Sequence, residues 1–260
     1  MKQFLNKTAL VTGASGGIGA EFARGLAKAG CHLVLTARRE ERLRALKKDL
    51  ERSWGVQVDI VQSDLSTLEG VSHLINSLDQ KNHAIDILIN NAGFGYEGDF
   101  VLQNDDRLNE MIGLNITALT FLTKHFGRVM AEKQSGHILL TSSVGGFTPC
   151  PRMAVYDATK AYVLILGEAL NHELKKHHVT VTTLCPGATR TGFFTASGQT
   201  LNALVKMTLM NPEKVARDGL KALAKGKSLA VPGLLNQLTV WGLRLLPRAF
   251  MAPVAGTVMN

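Results

Sequence analysis

Residues 7–19, KTALVTGASGGIG, carry the pattern that decides the fold. Residues 7–12 form a short apolar run rich in strand-forming residues, and a glycine turn of the form G-x-x-x-G-x-G follows from Gly13 to Gly19. The next residues, EFARGLAKAG, keep apolar side chains at helical spacing up to a helix stop at Gly30. A strand, a glycine turn and a helix in this order predict a site for the pyrophosphate of a dinucleotide.

The end of the second predicted strand, residues 31–36, indicates which dinucleotide is bound. Folds that bind NAD place an acidic residue near this point to hold the ribose hydroxyls. Here the sequence reads Ala37-Arg38-Arg39, and a guanidinium group pairs with a 2′-phosphate that a carboxylate would repel. We therefore expect NADP(H) in preference to NAD(H). The alternative is that both arginines belong to the solvated start of the next helix, RREERLRALKKDLE.

A second motif lies further along the chain, where Tyr156 precedes Lys160 by four residues and follows Ser143 by thirteen. A tyrosine and a lysine at this spacing share one face of a helix. The ammonium group can lower the pKa of the phenol, and the serine adds a hydrogen-bond donor. Together they can protonate a carbonyl oxygen while a hydride attacks its carbon. An ordinary helix with an exposed Tyr–Lys pair is the alternative, which the N-terminal glycine turn disfavours.

These motifs together resemble the short-chain dehydrogenase/reductase family. The matches run in order over nearly the whole chain: TGASGGIG at 12–19, Asp64-Leu65, NNAG at 90–93, Asn115, Ser143, Tyr156, Lys160, and Pro186-Gly187 with Thr189. The resemblance implies an oxidoreductase that transfers a hydride between NADP(H) and a carbonyl or secondary alcohol.

The resemblance also implies a role for each matched residue. Tyr156 is expected to act as general acid in reduction and as base in oxidation, and Lys160 to hold the nicotinamide ribose. Ser143 is expected to bind the substrate oxygen, and Asn115 to support a proton relay through water. The expected cofactor contacts are Gly13, Ser15, Gly17, Ile18, Gly19, Arg38, Arg39, Asp64, Leu65, Asn91, Ala92, Gly93, Tyr156, Lys160, Pro186, Gly187 and Thr189.

Apolar runs alternate with helical segments along the 260 residues. The predicted strands are 7–12, 31–36, 56–61, 86–89, 136–142, 179–184 and 227–231. This alternation predicts an α/β fold, with one doubly wound parallel sheet of about seven strands flanked by helices, in a single Rossmann-like domain over residues 1–260. Ser66 and Glu69 are read as a capping box, and Asn211-Pro212 as another helix start.

Composition excludes several other classes. The net charge of +8 comes from basic residues mixed with acidic ones, so we expect an anionic cofactor rather than nucleic acid. Three widely spaced cysteines indicate reduced thiols in a cytoplasmic protein, and neither a membrane span nor a signal segment is seen. The His172-Glu173 pair lacks the H-E-x-x-H spacing because Lys176 replaces the second histidine, so no metal is expected.

Substrate specificity is expected in loops at 94–96 and 145–147 and in a lid at about 189–210. The lid contains Phe193, Phe194, Met207 and Met210. Such side chains predict an apolar ketone or aldehyde, unless they only pack the lid against the core.

The C-terminal segment, about residues 233–260, is unusually apolar. From Leu234 its apolar residues follow helical spacing, with Arg244 and Arg248 at one end. A helix completing the substrate pocket, a subunit contact and a helix lying on a membrane surface all remain open. Apolar faces near 105–132 and 153–176 resemble the family's subunit contact and imply a homo-dimer or homo-tetramer.

Two other functions share the fold. A non-catalytic dinucleotide sensor would have no need of the proton donor at Tyr156. An epimerase or dehydratase shares the Y-x-x-x-K motif, but the shorter chain and the glycine turn disfavour it. An NADP(H)-dependent carbonyl reductase or alcohol dehydrogenase is the leading hypothesis.

Overall fold

Seven parallel strands form the central sheet of this computed structural model, which describes residues 2–81, 83–199 and 206–259. They are β1 Thr8–Thr12, β2 His32–Ala37, β3 Val58–Gln62, β4 Ile87–Asn90, β5 Gly136–Thr141, β6 Val179–Leu184 and β7 Leu229–Ala230. Their spatial order is β3-β2-β1-β4-β5-β6-β7. The order reverses between β1 and β4, and the carboxyl ends at such a reversal form the crevice where α/β sheets bind ligands.

Ten helices are described along the chain. They are α1 Gly17–Lys28, α2 Glu40–Trp54, α3 Leu68–Gln80, α4 Asp105–Ile112, α5 Leu119–Glu132, α6 Ala154–Lys175, α7 Phe193–Ser197, α8 Pro212–Ala224, α9 Leu234–Leu243 and α10 Arg248–Met259. A π-helical turn, Gly113–Ala118, joins α4 to α5. No helix in the described part of the chain is long and apolar enough to cross a membrane.

Helices cover both faces of the sheet because the strands are apolar on both sides. Successive side chains of a strand point to opposite faces, so Ala9 and Val11 join one core cluster and Leu10 joins the other. The first cluster also contains residues of α1, α2 and α8, whereas the second contains residues of α3, α5 and α6. The doubly wound parallel sheet predicted from sequence is confirmed, and each observed strand lies within two residues of its predicted bounds.

Two predicted helix features differ from the structure. Thr67, rather than Ser66, caps α3, since its hydroxyl oxygen accepts a hydrogen bond from the Gly70 N–H at 3.1 Å. Ser66 instead donates its hydroxyl to Asp64 Oδ1 at 2.8 Å, so the N-cap was predicted one residue too early, and Gly70 at the third helical position cannot complete a capping box. The helix expected near 105–132 is interrupted by the π-helical turn. The predicted cap at Asn211 is confirmed, with its side chain accepting from the Glu213 N–H at 2.9 Å.

Candidate active site

The glycine turn after β1 is tight because two of its glycines take left-handed backbone angles. Gly13 has φ of +67° and Gly17 has φ of +56°. A Cβ at Gly19 would collide with the Gly13 carbonyl oxygen, whereas a Cβ at Gly16 would meet only Arg39, at 3.9 Å. No side chain of the described residues caps the first turn of α1, so its N–H groups are available to an anion. The turn therefore fits the pyrophosphate of a dinucleotide.

Thr12, at the end of β1, joins this turn to the end of β4. Its hydroxyl oxygen accepts hydrogen bonds from the Asn91 and Ala92 N–H groups, both at 2.9 Å. The Asn91 side chain donates to the Thr12 carbonyl at 3.0 Å. These bonds bring Asn91 and Ala92 against Gly13. We had left Thr12 out of the expected site, although a polar residue ending a buried strand before the turn was a signal for it.

Asn115 lies in the π-helical turn and is fully buried. Its side-chain oxygen accepts from the Phe94 N–H at 3.1 Å, and its amide donates to the Phe94 carbonyl at 2.9 Å and to the Thr159 hydroxyl at 3.0 Å. Such π-helical turns occur frequently at functional sites. A Cβ at Gly93 would lie 2.9 Å from Asn115 Oδ1 and 3.2 Å from Lys160 Nζ. The structure thus brings Gly93, Asn115 and Lys160 together.

Lys160 is buried in α6 behind the tyrosine. Its Nζ donates to the Thr141 carbonyl at 3.0 Å and lies 5.7 Å from the centre of the Tyr156 ring. Burial lowers the pKa of Lys160 to about 8. The Ser142 hydroxyl donates to the Lys160 carbonyl at 2.6 Å, which ties the end of β5 to α6 and is a contact that the sequence did not indicate.

Tyr156 is buried. Burial raises the pKa of Tyr156, and the neighbouring Ser143 side chain opposes this rise only in part. The sequence had suggested that Lys160 would lower the pKa of the phenol, but burial has the larger effect and the shift is upward. The phenol is therefore protonated at neutral pH and available as a proton donor.

The basic residues after β2 face the glycine turn and the start of α3. Arg39 Nη2 donates to Ser15 Oγ at 3.0 Å, and Arg38 Nη1 lies 3.8 Å from Asp64 Oδ2. Burial, followed by the charges of Arg42 and Arg38, lowers the pKa of Arg39. The charge of Arg42, which is not among the expected site residues, thus also acts on Arg39. Leu65, the neighbour of Asp64, is buried.

The segment after β6 closes the other side of the crevice. The Pro186 carbonyl accepts from the Val144 N–H at 3.0 Å, and Thr189 Oγ1 donates to the Gly187 carbonyl at 2.8 Å. A Cβ at Gly17 would lie 3.1 Å from Thr191 Cγ2, so Thr191, which is not among the expected site residues, contacts the glycine turn.

Apolar side chains surround Tyr156 on the substrate side. The ring of Phe193 lies 5.4 Å from that of Tyr156, and a Cβ at Gly95 would lie 2.7 Å from Phe193 and 3.2 Å from Met153. Phe94, Met111, Met153 and Tyr156 form one buried cluster.

The lid predicted at about 189–210 is only partly described, because residues 200–205 lie outside the described residues. Its ends pair with each other: Arg190 N donates to Met210 O, and Met210 N to Ala188 O, both at 2.9 Å. Met207 is exposed, so of the expected apolar lid residues Phe193 is the one that packs on Tyr156. No group of His, Cys, Asp or Glu side chains in the described ranges could hold a metal ion.

Comparisons with known proteins place this chain in one family. The family model for short chain dehydrogenase matches residues 7–202. An uncharacterized oxidoreductase of Staphylococcus aureus (strain USA300) is 31% identical over 240 residues, covering 92% of this chain and 99% of the relative. Farnesol dehydrogenase of Aedes aegypti is 34% identical over 197 residues, covering 74% of this chain and 80% of that enzyme.

Solved structures agree with this assignment. A short-chain dehydrogenase from Sphingobium yanoikuyae in complex with NADPH has a TM-score of 0.82 and 34% identity, covering 92% of this chain and 94% of the other. The bulky-bulky ketone specific alcohol dehydrogenase from Comamonas testosteroni has a TM-score of 0.77 and 32% identity, covering 94% and 96%. A relative from Burkholderia phymatum in complex with NAD has a TM-score of 0.83 and 26% identity, covering 93% and 94%. This chain therefore belongs to the short-chain dehydrogenase family and is an oxidoreductase that uses a nicotinamide dinucleotide.

Proposed function

We propose that this protein reduces an apolar ketone or aldehyde with NADPH, and oxidises the corresponding alcohol with NADP⁺ in the reverse direction. The observation that carries the proposal is the buried Tyr156 side chain, with Ser143 as a polar neighbour. Lys160 lies behind this side chain and Phe193 beside it. A protonated phenol in an apolar wall is suited to donate its proton to a carbonyl oxygen.

In this proposal the nicotinamide, when bound, supplies the hydride. Tyr156 donates its proton to the carbonyl oxygen of the substrate, and Ser143 donates a hydrogen bond to the same oxygen. Hydride addition at the carbonyl carbon and proton transfer to the oxygen together give the neutral alcohol. The positive charge of Lys160 stabilises the tyrosinate that remains. Asn115 holds the loop at Phe94 against α6 through its hydrogen bonds to Phe94 and Thr159.

The remaining residues of the expected cofactor site belong to the same proposal. The turn from Gly13 to Gly19 would bind the pyrophosphate, and Asp64 and Leu65 would contact the adenine. Residues Asn91 to Gly93 would line the floor of the crevice. Pro186, Gly187 and Thr189 would contact the nicotinamide end.

A preference for NADP(H) is supported by charge. The positive charges of Arg38 and Arg42 act on Arg39, and Asp64 Oδ2 is 3.8 Å from Arg38 Nη1. An anionic 2′-phosphate would relieve the repulsion among the guanidinium groups. The Sphingobium relative in complex with NADPH is consistent with this preference, whereas the Burkholderia relative in complex with NAD shows that the fold accepts either dinucleotide.

An apolar substrate is supported by the lining of the site. Phe94, Met153 and Phe193 surround Tyr156, and Met111 lies behind them in the same cluster. Burial of a polar sugar against these side chains would leave hydroxyl groups without partners. The names of two relatives, farnesol dehydrogenase and bulky-bulky ketone specific alcohol dehydrogenase, point in the same direction.

Assembly and location form the rest of the proposal. Exposed apolar residues on α4, α5 and α6, namely Ile112, Phe121, Tyr162 and Ile165, suit a homo-dimer or homo-tetramer contact. The free cysteines Cys31, Cys150 and Cys185 suit the reducing cytoplasm. Three uses are open for the C-terminal segment: completing the substrate pocket, a subunit contact and a membrane surface.

The test is an absorbance assay with NADPH or NADH and a carbonyl panel. The panel contains a terpenoid aldehyde, a bulky aryl ketone, a steroid ketone and a ketose sugar. We expect kcat/KM to be at least about tenfold higher with NADPH than with NADH, and higher for the apolar carbonyls than for the sugar. Oxidation of neither cofactor with any compound would support the sensor alternative, and fastest turnover of the sugar would refute the substrate class.

A further inference from the structure

The C-terminal helices expose several large apolar side chains. On α9, Leu234 is 72% exposed, Leu238 58% and Trp241 63%. The set, called here the C-terminal apolar surface, consists of Leu234, Leu235, Leu238, Trp241, Leu245, Phe250 and Val254. Soluble proteins rarely leave so many large apolar residues on neighbouring helices in contact with water.

This surface is held in place by the opposite side of α9. Val240 is buried, and the Asn236 side chain donates to the Pro232 carbonyl at 2.7 Å and lies 3.2 Å from the Met210 sulfur. A Cβ at Gly256 would lie 3.3 Å from Pro151, so α10 also contacts the body of the protein. The apolar side chains therefore point outward from an anchored element.

Positive charges flank the C-terminal apolar surface. The sequence from 231 to 260 contains two arginines, Arg244 and Arg248, and no acidic residue. A groove beside α9 is lined by Lys221, Lys225 and Lys227 together with Gln237 and one acid, Asp218. At about 100° per residue, Gln237 and Trp241 lie about 40° apart on the helix. A residue that lines the groove, Gln237, therefore lies one helical turn from the exposed tryptophan.

This charge pattern disfavours a second copy of the chain as the partner. A two-fold contact pairs the same patch of both subunits, so the arginines and lysines of one copy would approach those of the other. An anionic lipid surface offers complementary charge to the same residues. Tryptophan beside arginine is also the composition typical of the membrane–water interface.

We propose that the C-terminal apolar surface binds an anionic lipid bilayer, with α9 and α10 lying in the interface. Leu234, Leu238 and Trp241 enter the acyl boundary, while Arg244 and the lysine groove contact lipid phosphates. The helices lie on the membrane rather than cross it, since none in the described part of the chain is long and apolar enough to span it. This binding is independent of the proposed reaction.

The experiment is co-sedimentation of the full chain with phosphatidylcholine vesicles, with and without about one third phosphatidylglycerol. We expect the protein to sediment with the anionic vesicles. The Leu238→Gln/Trp241→Gln variant is expected to lose at least about tenfold in vesicle affinity. Arg244→Gln/Arg248→Gln is expected to lose roughly fivefold for each cation, on anionic vesicles alone. The matched control is Phe100→Gln/Leu102→Gln, which alters exposed apolar residues elsewhere and is expected to bind like the parent.

Two further measurements decide the outcome. In a Trp54→Phe background, the emission of Trp241 is expected to shift to the blue with vesicles and to be quenched by brominated lipid. Unchanged NADPH turnover in each variant shows that its fold is intact. Absence of vesicle binding by the parent, or equal loss in the control, overturns the proposal. Sedimentation velocity without lipid gives a further decisive result. If the Leu238→Gln/Trp241→Gln change converts a larger assembly into a smaller one, the surface is a subunit contact and the proposal is overturned.

Discussion

Two regions of this protein depart from the usual distribution of polar and apolar side chains, in opposite directions. Around Tyr156 the polar groups are buried: Asn115 is 0% exposed and Lys160 is 4% exposed. Along α9 and α10 the apolar groups are in water, with Trp241 63% exposed. Departures of this kind are expected where function, and not folding, selects the residues.

The two regions differ in what offsets the energetic cost of burying polar groups or exposing apolar ones. Asn115 and Lys160 make hydrogen bonds inside the protein, to Phe94, Thr159 and Thr141, so their burial is offset within the fold. The exposed leucines of α9 have no such internal compensation among the described residues, and only a partner can bury them. The burial in the first region is thus offset within one chain, whereas the exposure in the second would be offset only by a bound partner.

The largest effect is expected from the buried region, with Tyr156→Phe. This change removes the proton donor but keeps the ring that packs on Phe193, so turnover should fall on the order of 10²–10⁴-fold. NADPH binding, followed by cofactor fluorescence, should be retained. Tyr162→Phe is the matched control, because Tyr162 lies on the same helix and its hydroxyl bonds to Thr120 at 2.8 Å. Similar activity of the two variants would contradict the assignment of the general acid.

A second test concerns Asp157, a buried carboxyl group whose hydrogen bond does not fully offset the removal of its charge from water. Burial raises the pKa of Asp157 to about 8, although Oδ2 accepts from the Cys150 N–H at 3.0 Å. Between about pH 4 and pH 8 the folded state therefore binds a proton that the unfolded chain releases, and stability falls as pH rises.

Asp157→Asn should abolish that fall, since an amide does not titrate in this range, and its oxygen can still accept from Cys150. From pH 6 to pH 8 the parent should lose on the order of 2 kcal/mol of unfolding free energy relative to the variant, measured by urea denaturation. If the unfolding free energies of the parent and Asp157→Asn change in parallel with pH, the carboxyl group of Asp157 is ionised over the whole range from pH 6 to pH 8.

The exposed arginines after β2, Arg38 and Arg39, are charged groups whose proposed partner is the 2′-phosphate of the cofactor. Arg39→Ala should lower the NADPH-to-NADH ratio of kcat/KM by about tenfold, because one charge-assisted hydrogen bond to the 2′-phosphate is lost. Arg38→Ala should lower it less, since Arg38 lies toward Asp64. Arg52→Ala, at the far end of α2, is the control. An unchanged ratio in both variants would mean that these arginines are part of a solvated helix start.

The smallest effect is expected in the C-terminal segment, where neighbouring residues give a direct contrast. Val240 is 5% exposed and Trp241 is 63% exposed. Val240→Ala should lower the unfolding free energy by about 1–2 kcal/mol, and Trp241→Gln by less than about 0.5 kcal/mol, without lipid. Thermal unfolding measures both. A larger loss from Trp241→Gln would show that the tryptophan already has a partner in solution.

Local sequence patterns were enough to predict the strands and helices and part of the candidate active site. The alternation of apolar runs and helices predicted all seven strands, and the glycine turn was located from its spacing. Thr191 could not be predicted as a site residue, since its contact with Gly17 joins segments far apart in the chain, whereas Thr12 was signalled only by its place at the end of a buried strand. The one-residue error at Ser66 arose because Ser66 and Thr67 are both good caps, and a contact with Asp64 engages the first.

The sequence by itself determined the order of strands and helices, the glycine turn and the helical spacing of Tyr156 and Lys160, since these depend on nearby residues and on period. Tertiary structure decided the environment of those groups. Burial moves the pKa of Tyr156 upward, when the proximity of Lys160 alone had suggested the reverse. It also decided which side of α9 is anchored and which faces water. Desolvation and partner availability are set by the whole fold, so neither could be obtained from residue spacing.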